Sequence, residues 1–193
     1  MNAVFTVKRP GAFFFVRVFD RGVLREDSER AKREFSDALS LGGAKYSIGK
    51  EPGGKPFLTA EGENKEYSFV SVTHTKNVFI AAAASRPIGI DAEFPPSLKR
   101  AERIAERYFS PAEKEKLKKA ADEEAFTKLF ARIWTKKEAY SKFTGEGLSA
   151  ALAADTEGIF EGTFRCEREA LPEKALEALG DMVFSVYTEK NKI

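Results

Sequence analysis

Two carboxylates and one more, far apart in the chain, are the residues with chemistry to offer. In Gly89-Ile90-Asp91-Ala92-Glu93, strand geometry sends Ile88, Ile90 and Ala92 to one face and places Asp91 and Glu93 together on the other. Alone, such a pair reads as a solvated strand face. Glu138 adds a third carboxylate at the end of an apolar stripe, Phe126, Phe130 and Trp134, spaced by four on one helix. Lys142, four residues on, makes an ordinary helical ion pair with Glu138 one explanation. The other is that Asp91, Glu93 and Glu138 meet as three oxygen ligands of a hard cation, with Mg²⁺ completing its octahedron from water and a substrate phosphate. His74, the single histidine, stands between Thr73 and Thr75 after a strand. That setting favours a phosphate contact over a plain surface role.

The elements that must position these groups are legible from pattern. Val4 to Val7 and Phe13 to Phe19 read as strands around the turn Arg9-Pro10-Gly11. A helix with Asp27-Ser28 as its cap follows, carrying Ala31, Phe35, Ala38 and Leu39 on one face and stopping at Gly42-Gly43. A short strand near Tyr46 to Ile48 meets the turn Pro52-Gly53-Gly54-Lys55-Pro56. Ser68 to Val72, Val78 to Ala84 and Ile88 to Glu93 read as strands, the last ended by Pro95-Pro96. Ser110-Pro111-Ala112-Glu113 is a capping box that opens a helix, and the Phe126 to Glu138 helix runs until Gly145. Strands at Ile159 to Cys166 and Met182 to Tyr187 flank a helical turn around Leu171 to Leu179. The expected fold is α+β, made of two similar halves, residues 1–87 and 88–193, each a small antiparallel sheet on a long helix with the active site between them. No sequence repeat of fixed period supports the doubling.

Composition narrows the function classes. Of 193 residues, 42% are hydrophobic, enough for a sizeable core, and 32 basic against 30 acidic residues leave no bulk charge to attract nucleic acid or a membrane surface. The single cysteine, Cys166, excludes an intrachain disulfide and a thiolate-rich metal site, and suits a buried structural thiol. No segment reaches the roughly 18 apolar residues of a membrane helix, and the first ten residues lack the pattern of a leader, so a soluble cytoplasmic protein is expected.

The run Trp134-Thr135-Lys136-Lys137-Glu138-Ala139-Tyr140-Ser141-Lys142 resembles the W-x-x-K-E-A-x-x-K signature of Sfp-type 4'-phosphopantetheinyl transferases, and Gly145-Glu146-Gly147-Leu148-Ser149 continues it. Gly89 to Glu93 resembles the family's G-I-D-x-E, in the family's order and separation. Gly54-Lys55-Pro56, Val70 to Thr75, and Tyr108-Phe109-Ser110 with Glu113 extend the likeness over roughly Gly53 to Ser149. The resemblance implies transfer of phosphopantetheine from coenzyme A to a serine of an apo acyl or peptidyl carrier protein. It implies Mg²⁺ held by Asp91, Glu93 and Glu138 against the coenzyme A diphosphate, Lys142 and His74 on phosphate oxygens, and Lys55 and Thr73 near the adenosine 3'-phosphate. Glu138, or a water it orients, would take the serine proton. Larger members of the family imply a monomer. Arg30, Lys32 and Arg33 are candidates for the family's upstream basic residues. Glu113 reads first as a cap and second as an active-site group. The basic run Arg100, Arg103, Arg107, Lys114, Lys116, Lys118 and Lys119 suits an acidic carrier or a solvated helix face. Two other readings compete: another Mg²⁺-dependent phosphotransferase, although no P-loop occurs in the chain, and a non-catalytic module that binds carrier proteins.

Overall fold

A computed structural model describes residues 3–153, 159–162 and 177–189. It is an α+β protein. β1 (Ala3–Arg9) and β2 (Ala12–Val18) form a hairpin, and after it come α1 (Arg25–Ser40) and a second hairpin of β3 (Lys45–Lys50) and β4 (Pro56–Glu61). β5 (Phe69–Thr75), β6 (Val78–Ala84) and β7 (Ile88–Glu93) precede four helices, α2 (Leu98–Tyr108), α3 (Pro111–Lys118), α4 (Glu123–Thr144) and α5 (Leu148–Ala153). β8 (Ile159–Gly162) and β9 (Val183–Thr188) follow. The strands make a four-stranded antiparallel sheet ordered β1-β2-β6-β5 and a three-stranded one ordered β7-β9-β8, apart from the β3-β4 pair.

The four-stranded sheet is apolar on both faces, and this is why Ala-Phe-Phe-Phe-Val-Arg-Val and Val-Phe-Ile-Ala-Ala-Ala-Ala show little polar alternation. Phe15, Phe79 and Ala81 face α1, packing with Ala31, Phe35 and Leu39. Phe14, Val16 and Ile80 face the other way and meet Ile88, Ile90 and Phe184 of the three-stranded sheet. The far side of that second sheet carries α4, where the buried hydroxyls of Thr135 and Ser185 pair at 2.7 Å and Tyr140 meets Tyr187 edge-on. A third cluster, with Ala101, Ala105, Phe109, Leu117 and Phe130, binds α2 and α3 to α4. The layers are therefore helix, sheet, sheet, helix.

Residues up to 87 contribute six strands and one helix, whereas residues beyond it contribute three strands and four helices among those described. α1 starts at Arg25, before the expected cap: Asp27 lies inside the first turn, where its Oδ2 accepts the Leu24 amide at 3.1 Å. β4, α2 and α5 are additional to the elements expected from sequence. Cys166 and the second half of the strand expected to end there, with residues 171–176 of the expected helical turn, lie outside the described residues.

Candidate active site

Gly89 brings the two halves of the site together. It shares the β7 face of Asp91 and Glu93, and a Cβ placed on it would fall 2.0 Å from the Ala139 carbonyl oxygen and 2.6 Å from the Phe143 nitrogen. Those two backbone atoms are partners of one α-helical turn, so β7 lies directly against the backbone of α4. Glu138 and Lys142 belong to that stretch of α4. Its end is fixed by Gly145, whose φ of +77° supplies the left-handed cap at which the helix stops.

At this contact Lys142 Nζ stands 2.6 Å from Asp91 Oδ1. Lys142 is thus not simply the helical partner of Glu138; it reaches across to the strand. Asp91 Oδ1 also accepts from Thr73 Oγ1 at 2.8 Å, whereas Asp91 Oδ2 is buried without a hydrogen-bond partner. Glu93 Oε2 accepts from Thr75 Oγ1 at 2.9 Å, and Ile90 N donates to Ser71 Oγ at 3.1 Å. Alternate residues of β5 therefore grip β7 with three hydroxyls, although the two strands belong to different sheets.

The electrostatics are short of positive charge. Burial pushes the Glu138 carboxyl above its ordinary range, the negative charges of Asp91 and Glu93 push it further, and Lys142 offsets only part. Burial also raises Glu93, with Asp91 adding to it and Thr75, Arg100 and Lys142 opposing. The same burial acts on His74 in the opposite sense, lowering it, with Lys142 and then Lys32 contributing. His74 is accordingly a neutral imidazole at neutral pH, able to donate one N–H. Among Arg30, Lys32 and Arg33, Lys32 is the one that His74 senses.

Carboxylates crowded in this way favour a divalent cation. Among the described residues no three Asp, Glu, His or Cys side chains stand together as a group that could hold a metal ion. The donor set nonetheless fits Mg²⁺: all its atoms are hard oxygens, and the buried Oδ2 of Asp91 is an acceptor left unsatisfied by the protein. Beside Glu93 opens a cavity of about 440 Å³ walled also by His74, Phe94, Arg100, Ile104 and Trp134, with room for part of a substrate.

Asp91, Glu93, Glu138, Lys142, His74 and Thr73 thus share one neighbourhood. Lys55 is apart from them: its Nζ donates to Phe143 O at 3.3 Å, on the C-terminal turn of α4. Glu113 completes the capping box of α3 with the N-cap Ser110, whose N donates to Glu113 Oε2 at 2.8 Å while Glu113 N donates to Ser110 Oγ at 3.2 Å. Its second oxygen, Oε1, takes Lys137 Nζ at 3.0 Å, and Lys137 also donates to Leu152 O at 3.3 Å. Lys137, 1% exposed, thereby ties α3, α4 and α5 together.

Sequence reasoning gave Lys137, Thr75 and Gly89 no role. The signal for Lys137 was available, since it lies seven residues from Phe130 and three from Trp134, on the inward side of α4. Lys137→Met should cost about 3 kcal/mol in urea unfolding, near the low end for a broken buried pair because Glu113 keeps some contact with water. Adding Glu113→Gln should recover part of that loss. A Lys137→Met protein as stable as the parent would exclude the clamp.

Residues 87–180 match the sequence model of the 4'-phosphopantetheinyl transferase superfamily. The chain is 37% identical over 112 residues to the 4'-phosphopantetheinyl transferase HetI of Nostoc sp. strain PCC 7120, covering 53% of this chain and 46% of HetI. It is 39% identical over 84 residues to the 4'-phosphopantetheinyl transferase Sfp of Bacillus subtilis strain 168, covering 42% of this chain and 35% of Sfp. A further B. subtilis 4'-phosphopantetheinyl transferase is 34% identical over 117 residues, 60% of this chain and 48% of that relative. The matches span less than half the length of each of these relatives.

Proposed function

We propose that this chain, whose residues 87–180 fall within the 4'-phosphopantetheinyl transferase superfamily, moves the 4'-phosphopantetheine of coenzyme A onto a serine of an apo acyl or peptidyl carrier protein and releases adenosine 3',5'-bisphosphate. The observation that carries this reading is the Lys142–Asp91 contact, because it joins the two sequence motifs, within electrostatic reach of Glu93 and Glu138.

Asp91, Glu93 and Glu138 would hold Mg²⁺, which when bound neutralises the diphosphate and polarises the phosphorus under attack. The serine oxygen bonds to the phosphorus that carries pantetheine, and the bond from that phosphorus to the bridging oxygen breaks. Glu138, whose burial already favours its protonated form, accepts the serine proton. Lys142 places its ammonium among the phosphate oxygens, and His74 donates its single N–H to one of them. Thr73 has given its one hydroxyl hydrogen to Asp91, so the adenosine 3'-phosphate would rely on Lys55 and on Lys32, the latter exchanging its Glu29 ion pair for the phosphate.

The partner would be an acidic carrier. Within the basic run, Lys114 is engaged by Glu106 and Lys118 by Glu115, whereas Lys116 and Lys119 stay exposed and available to a carrier. Among the described residues no helix is long and apolar enough to cross a membrane. We take the enzyme to act as a cytoplasmic monomer, with neither nucleic acid nor membrane as partner.

The decisive experiment incubates the protein with coenzyme A, Mg²⁺ and apo carriers of fatty-acid, polyketide and nonribosomal-peptide type, and weighs the products. One carrier class or more should gain a single phosphopantetheine, and EDTA should abolish the gain. No mass change in any class, at high enzyme and with Mg²⁺ present, would overturn the reading.

A further inference from the structure

We infer that the hydroxyls of Thr73 and Thr75 are positioning groups that decide which cation the carboxylates accept. This rests on the reading of Asp91 and Glu93 as metal ligands. Each threonine donates to one carboxylate oxygen, Thr73 to Asp91 Oδ1 and Thr75 to Glu93 Oε2. Lys142 adds a second donor on the same Asp91 oxygen. One oxygen per carboxylate is thereby taken by the protein and one is left, and on Asp91 that remaining oxygen is buried without a partner. A cation entering here meets Asp91 and Glu93 as single-oxygen ligands.

That arrangement separates two chemically similar ions. Mg²⁺ and Mn²⁺ take six oxygens, Mg²⁺ at about 2.0–2.1 Å, and are satisfied by one oxygen from each carboxylate with water or phosphate completing the octahedron. Ca²⁺ takes roughly six to eight oxygens at about 2.3–2.6 Å and is well served by carboxylates that give both. A hydroxyl that occupies the second oxygen of Asp91 and of Glu93 withdraws from these two ligands the option Ca²⁺ uses best. The hydrogen bond also fixes the carboxylate's rotation, as partners of metal ligands generally do.

Both threonines are buried on a strand, 6% and 8% exposed, so valine fits their volume and removes only the hydroxyl. The third rung, Ser71, accepts from a backbone amide and touches no carboxylate, and therefore serves as a structural control. Mn²⁺ binding followed by electron paramagnetic resonance, with coenzyme A present and Ca²⁺ as competitor, reads the effect without turnover. Thr75→Val should weaken Mn²⁺ about 10-fold and shift the Ca²⁺-to-Mn²⁺ affinity ratio toward Ca²⁺ by a similar factor, and Thr73→Val should shift it in the same direction but less, because Lys142 still holds Asp91 Oδ1. Thr75→Ser should keep both wild-type values, and Ser71→Ala should lower stability without moving the ratio.

An unchanged ratio in both valine variants overturns the inference, as does a Thr75→Ser protein as impaired as Thr75→Val. Should Thr75→Val fail to fold, Thr75→Ala against Thr75→Ser makes the same comparison. A wild-type protein that binds no Mn²⁺ in the presence of coenzyme A would instead remove the metal-site reading beneath it.

Discussion

Glu138→Gln and Asp91→Asn proteins should transfer phosphopantetheine at least about 100-fold more slowly than the wild type, more than the roughly 10- to 100-fold that loss of a ligand's outer partner costs. They should nonetheless fold. The Glu138 carboxyl is raised by burial and by the charges of Asp91 and Glu93, so the native structure disfavours its ionised form. Glutamine keeps the volume and discards the charge, and the melting temperature of Glu138→Gln should equal or exceed that of the parent. Such opposite movements of activity and stability mark a group kept for chemistry. Asp91→Asn puts an amide where a buried acceptor had no partner, so its melting point should fall slightly while its activity falls steeply. Wild-type turnover in a folded Glu138→Gln protein would refute both its ligand and its base role.

The second large effect is expected at Gly89. An added methyl group must displace Ala139 O and Phe143 N, which are backbone atoms of α4 and cannot swing aside as a side-chain tip would. β7 and α4 then separate, and the separation runs through the Asp91–Lys142 contact. Gly89→Ala should cost about 3 kcal/mol, the upper range of overpacking, and lower the melting temperature by roughly 6–12 °C for a chain of this size. Coenzyme A turnover should drop by more than stability explains, because even the folded fraction holds its carboxylates apart. A Gly89→Ala protein with parental melting and parental rate would mean that the strand and helix have more room than the geometry allows.

How much of this was legible in the sequence depended on whether a residue's role was written in its own neighbourhood. Asp91, Glu93, Glu138 and Lys142 announce themselves through strand and helix spacing, and the structure brings them to one place. The hydroxyls of β5 do not, since their significance comes from β7, a strand of a different sheet. Asp27 was misplaced within α1 for a local reason: a carboxylate just before a helix and one inside its first turn both accept a free amide, and the sequence alone does not say which. α2 carries Leu98, Ala101, Ile104, Ala105 and Tyr108 at helical spacing, but alanines give a weak apolar signal beside so many charges. β4 was hidden because Phe57, over Gly49 across the hairpin and 40% exposed, puts a large apolar residue on the outward face and masks the alternation of Leu58 and Ala60 inward with Thr59 and Glu61 outward. Glu113 is satisfied by its cap and by Lys137, and the capping reading is the one its contacts bear out.

The seam between β5 and β7 has a consequence for the chain's solubility. Each is the outermost strand of its own sheet, and an outermost strand offers unpaired amides and carbonyls to any passing copy of the protein. Here each strand shields the other, with Ser71 answering the Ile90 amide. The same contact that aligns two carboxylates thus removes two sticky edges from solution, and a fragment cut between Ala84 and Ile88 would regain both. Separately expressed halves of this protein should aggregate through those strands, whereas in the undivided chain the β5–β7 contact covers them.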